Sequence, residues 1–120
     1  MSSDLQGILT DLVSRVVGSR GAILLDKDGV SIAQAPQGPA LDLEAVGALS
    51  RPLLQDTLAA AARRGQGAVL EVLLEAERAT LAMIPLKHSC YLCLLLSPEA
   101  ALGRGLFEAR RAASALDQAL

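Results

Sequence analysis

The residues able to do chemistry in this chain of 120 fall in a few short stretches. Cys90-Tyr91-Leu92-Cys93 has the C-x-x-C spacing of redox pairs and zinc sites. A redox pair of that kind opens a helix, whose dipole lowers the thiol pKa. Here the surrounding run is apolar and strand-like, and residues three apart on a strand point to opposite faces. The two thiols are therefore expected to be buried and structural. His88, the single histidine, falls in the polar stretch Lys87-His88-Ser89 and has no partner suggested for base or triad work. Asp26 and Asp28 flank Lys27 just before Gly29, a pattern that shapes a turn more readily than it holds a metal. Gly103-Arg104-Gly105 follows a strand but falls inside a helical pattern, so it reads as helix packing and not as a dinucleotide loop. Arg63 and Arg64 close a helical segment, where cations complement the dipole or contact an anion. No phosphate-binding G-x-x-x-x-G-K-[ST] is present. The expectation is a non-enzymatic protein with no catalytic residue, cofactor or metal.

The elements that position these residues follow from periodicity. Leu5, Ile8, Leu9, Leu12, Val13 and Val16 form one helical stripe. Ser3 is the expected cap, with Gln6 as its capping-box partner, and Gly18 the stop. Residues 21–26 and 30–34 read as two strands joined at Asp28-Gly29, with Val30 and Ile32 on one face. Residues 36–40 are an expected loop and Asp42 the cap of a second helix. That helix reaches Arg64, with a kink or restart expected at Pro52, Ser50 capping the second piece and Gly65 ending it. Residues 68–75, 78–85 and 90–96 read as three strands. The first two join through a tight turn at Ala76-Glu77. The last is apolar on both faces and belongs in the middle of a sheet. Ser97-Pro98-Glu99 is expected to start a final helix, whose stripe is Leu102, Leu106, Ala109, Ala113, Leu116 and Leu120. The order α-β-β-α-β-β-β-α predicts an α+β fold with an antiparallel sheet, one helix on one face and the two terminal helices on the other.

Composition narrows the function. Apolar residues make up 52% and charged residues 20%, which excludes a disordered chain. Two cysteines are too few for a disulfide scaffold. A net charge of −2 and only two aromatics, Tyr91 and Phe107, argue against nucleic-acid binding. No leader or membrane-spanning run is visible, so a cytoplasmic protein without membrane insertion is expected.

Two stretches carry a resemblance. Gly21-Ala-Ile-Leu-Leu-Asp-Lys-Asp-Gly-Val-Ser-Ile-Ala is similar to the first hairpin of the Roadblock family of small-GTPase regulators. Leu102-Gly103-Arg104-Gly105-Leu106-Phe107-Glu108-Ala109-Arg110-Arg111-Ala112-Ala113 is similar to its final helix. The resemblance extends over residues 4–118 and treats 1–120 as a single domain. It implies a five-stranded sheet in the order 2-1-5-4-3. It implies a homodimer joined through third strands and middle helices, with Leu53, Leu54, Leu70, Val72 and Leu74 at the seam. It implies a platform on the middle helix for a Ras-like small GTPase or another Roadblock-type protein, with Glu44, Arg51, Gln55, Asp56, Arg63 and Arg64 as partner-binding residues. The composition suggests a bacterial member of the kind that serves Mgl-type polarity or motility GTPases. Two other readings stay open. One is an adaptor for a Roadblock protein or response regulator without GTPase contact, motivated by Pro52. The other is a small-molecule sensor, which needs a pocket of ~300 Å³ or more.

Overall fold

A computed structural model describes residues 2–36 and 42–120, except the side chains of Ser2, Ser3 and Glu44. The first helix, α1, spans Ser2–Arg15. Strands β1 (Ser19–Leu25) and β2 (Ser31–Ala35) form the hairpin. Helix α2 spans Leu43–Arg63, followed by β3 (Val72–Glu75), β4 (Thr80–Pro85), β5 (Tyr91–Leu96) and α3 (Leu102–Ala119). The sheet order is β2-β1-β5-β4-β3, with every pairing antiparallel, as expected.

The alternation of β5 explains the layers. Leu92, Leu94 and Leu96 face α1 and α3, where they join Leu5, Leu9, Leu12, Ala109, Ala113 and Leu116 in one core. Tyr91 and Cys93 face α2 and join Ile23, Leu25, Leu43, Leu54 and Met83 in a second core. A strand buried on both faces must be apolar at every position, and β5 is. Each fully buried leucine here contributes ~1.5–3 kcal/mol of transfer free energy.

Local chemistry matches several expectations. Asp42 caps α2, its Oδ1 accepting the Ala45 N–H at 3.0 Å. Asp26 Oδ1 accepts the N–H groups of Asp28 and Val30 at 2.8 and 3.0 Å, and Gly29 supplies the positive φ of 80° that the turn requires. The Ala76 N–H donates to the Ala79 carbonyl, closing a turn around Glu77 and Arg78, one residue later than expected, so β4 begins at Thr80 and not at Arg78.

Other expectations are corrected. Helix α2 runs unbroken through Pro52, and Ser50 starts no second piece. The Ser50 hydroxyl instead donates back to the Gly47 carbonyl at 2.9 Å, inside the protein. Residues 68–71 lie outside β3, so the third strand is half its expected length. Val30 lies outside β2 and is 59% exposed. Helix α1 includes Ser3, and the Gln6 amide donates to the Gln34 carbonyl at 2.6 Å instead of closing a capping box. Ser97 does not cap α3. Its N–H donates to the Gly18 carbonyl, and residues 97–100 form a separate turn before the helix begins at Leu102. Of the two early glycines of α3, Gly105 packs on Leu96 and Gly103 borders open space. The expected loop lies outside the described residues from position 37 onward.

Candidate interaction surface

Helix α2 organises the surface because its two flanks differ. It is 21 residues long, and from Arg63 to Ala68 every residue is exposed. Its middle is tied to the sheet at one close approach. Gly47 sits against the Leu25 side chain, and the Tyr91 hydroxyl donates to the Gly47 carbonyl at 3.2 Å.

On the flank toward β3 lies an apolar groove of about 260 Å³. Val46, Leu49 and Leu53 from α2 face Leu74, Leu81 and Leu95 from the sheet across it. Leu49 is 79% exposed and Leu74 47%. Strand β3 ends the sheet, so the groove borders a row of unpaired backbone groups.

On the opposite flank lies a mixed cleft of about 520 Å³. Arg51 and Gln55 line it together with Lys27 and Asp28 of the β1–β2 turn and with Ser89 and Cys90 of the β4–β5 connection. Arg51 is anchored there, its Nε donating to the Lys27 carbonyl at 2.8 Å. Gly29 makes room for this: a Cβ on it would stand 3.0 Å from Arg51 Cδ.

The residues selected from sequence thus separate. Leu53 and Leu74 meet in the groove, and Arg51 and Gln55 meet in the cleft. Val72 is half-buried against the α2-side core, opposite Met83. Leu70 is 80% exposed in the segment before β3. Leu54 is 4% exposed and belongs to the core of its own chain, so it presents no surface to a partner. Asp56, Arg63 and Arg64 are exposed and line neither concavity. The side chain of Glu44 lies outside the described residues.

The other candidates are held by structure. Cys90 and Cys93 point into different cores. Burial pushes the Cys93 thiol up to about 12, against the opposing Ser50 hydroxyl at 3.6 Å. Burial also raises the Cys90 thiol. His88 is exposed in a 3-10 turn at Lys87–Ser89, with φ at 59°, and its ring has no polar partner among the described residues. Among the described residues no group of three or more His, Cys, Asp or Glu side chains could hold a metal ion. No described helix is long and apolar enough to cross a membrane.

One residue escaped the sequence reading. Glu108 is 3% exposed, and its carboxylate meets Arg104 at 2.9 Å and Arg111 at 3.5 Å. The spacing of four and three along a helix carries that signal, but the burial does not show in a stripe made of Ala and Leu.

The pattern of the Roadblock/LC7 domain matches residues 5–96. The chain belongs to the Roadblock/LC7 family. Its fold is similar to that of Myxococcus xanthus MglB, with a TM-score of 0.87 at 17% identity, covering 98% of this chain and 87% of that one. It is also similar to the gliding protein MglB of Thermus thermophilus, with a TM-score of 0.85 at 22% identity, covering 98% and 88%. A further MglB structure, described as having a tetrameric arrangement, matches with a TM-score of 0.85 at 25% identity, again covering 98% and 88%. No curated protein matches the sequence. In Roadblock terms, the groove lies where the middle helix meets the third strand, and the cleft lies on that helix's other flank.

Proposed function

We propose that residues 1–120 act as one Roadblock domain that forms a non-enzymatic homodimer and regulates a Ras-like small-GTPase system in bacterial polarity or motility. The observation that carries this reading is the apolar groove beside the open β3 edge. A second copy related by a two-fold axis would pair β3 with β3 and cover Leu49, Leu53 and Leu74 in one step. Self-complementary seams of this kind are the commonest route to a dimer. The likeness to MglB structures supports the regulator class, and the tetrameric arrangement of one of them supports self-association.

The partner platform is then the exposed surface of paired α2 helices, with Gln55, Asp56, Arg63 and Arg64. Glu44 falls on the same helix. Tyr91 is buried, and Phe107, the other large aromatic side chain, is exposed on α3. Contacts on the α2 side therefore rely on aliphatic area, backbone pairing and arginines, without the rings that usually anchor interfaces. Helix α2 continues through Pro52 without a restart, so the platform residues lie on one helix.

Light scattering tests the assembly, with twice the 12.4 kDa chain mass expected at micromolar concentration. A monomer overturns the dimer. Pull-down with the Ras-like GTPases of the host, loaded with GDP or a GTP analogue, tests the platform. Retention of one nucleotide state is expected, and binding in neither state overturns the regulatory reading.

A further inference from the structure

We propose that the cleft between α2, the β1–β2 turn and the β4–β5 connection binds a small molecule that carries a phosphate or carboxylate group on an apolar body. Its volume of about 520 Å³ lies in the range of small-ligand sites. Two cations, Arg51 and Lys27, line it against one carboxylate, Asp28. The Arg51 guanidinium is already held in place by its Nε bond to the Lys27 carbonyl. Its terminal nitrogens have no hydrogen-bond or ion-pair partner among the described residues. A guanidinium fixed by one nitrogen and open at the others is arranged to receive an oxyanion, with little ordering left to do on binding. The Lys27 ammonium likewise has no ion pair among the described residues.

The rest of the lining fits the remainder of such a ligand. Gln55 and Ser89 offer neutral hydrogen-bonding groups, and Leu58 and Leu86 offer apolar wall. The β4–β5 connection holds two consecutive non-glycine residues at positive φ, His88 at 59° and Ser89 at 60°. Backbone held in that region is maintained by its surroundings and gathers at binding sites. The cleft is on the flank of α2 away from the β3 groove, so occupancy does not depend on the dimer seam.

Amide NMR titration of the full chain tests the proposal, with phenyl phosphate as probe and benzyl alcohol as the uncharged control. Saturable shifts are expected at Lys27–Gly29, Arg51, Gln55 and Ser89–Tyr91, with none from benzyl alcohol. Arg51→Gln is expected to weaken binding about 10-fold, and Arg20→Gln, an exposed site on β1 outside the cleft, to leave it unchanged. Lys27→Gln keeps the backbone carbonyl that anchors Arg51, so it supplies the reading if Arg51→Gln does not fold. Shifts that never saturate, equal weakening by Arg20→Gln, or an affinity unaffected by both Arg51→Gln and Lys27→Gln would overturn the site. So would an acidic peptide that moves these amides when phenyl phosphate moves none.

Discussion

Arg110 grips Glu71 with two parallel bonds, Nε to Oε1 at 2.8 Å and Nη2 to Oε2 at 2.9 Å. The two residues are 39 apart in sequence, and the pair fixes the stretch just before β3 to α3. The edge strand begins at the next residue, Val72.

The pair makes a pH prediction. The Arg110 hydrogen bonds, the largest influence, hold the Glu71 carboxyl below its ordinary value, outweighing partial burial, which acts the other way. A carboxyl lowered in the folded state adds stability that is complete above its unfolded pKa and fades as pH falls through the folded one. The contribution is thus present at neutral pH and lost below the usual carboxylate range. It is small, because Arg110 is largely exposed. Carboxyl NMR titration checks it: Arg110→Ala should raise the Glu71 pKa, because partial burial is then the influence left acting on it.

Two glycines in helices should respond in opposite directions. Ala at Gly47 adds a methyl against Leu25, which is fully buried and has nowhere to retreat. The overpacking cost of ~1–3 kcal/mol should exceed the ~1 kcal/mol gained in helix propensity. Gly103 borders open space, so Gly103→Ala should be neutral or stabilise by up to ~1 kcal/mol. Urea unfolding of the two variants gives both signs.

The seam and the platform should be separable. Leu74→Asp places a carboxylate in the apolar groove that the second copy would cover. Burying it unpaired costs several kcal/mol, so the variant should be a monomer by light scattering. Leu74 is 47% exposed in the single chain, so the fold itself should survive, as read by circular dichroism. Arg63→Glu with Arg64→Glu should leave the mass doubled and reduce GTPase retention.

Both thiols should be inert while the protein is folded. The thiolate is the reactive species, and burial holds Cys93 up at about 12 and raises Cys90 as well. A disulfide exchange reagent should label neither at neutral pH until denaturant is added. Cys90, at 8% exposed against 1%, should be the first to react as denaturant rises. Prompt labelling of the native protein would contradict the strand geometry.

What the sequence determined by itself were several features that depend on neighbours along the chain. The apolar period of 5–16 set the buried face of α1, the two-sided run of 90–96 set the central place of β5, and Asp42 set the start of α2. Periodicity and capping are short-range effects, so they can be read from adjacent residues. Tertiary structure alone decided features that join distant segments. Gly18 met Ser97 and Ala100 and delayed α3 to Leu102. Arg110 was paired with Glu71, which lies 39 residues away beside the start of β3. Adjacent Leu53 and Leu54 were divided between groove and core by the rotation of α2 on the sheet. Arg51 was joined to Lys27 across the hairpin turn, which made one flank of α2 a cleft. These outcomes depend on distances of a few ångströms between elements, set only once the sheet brings them together.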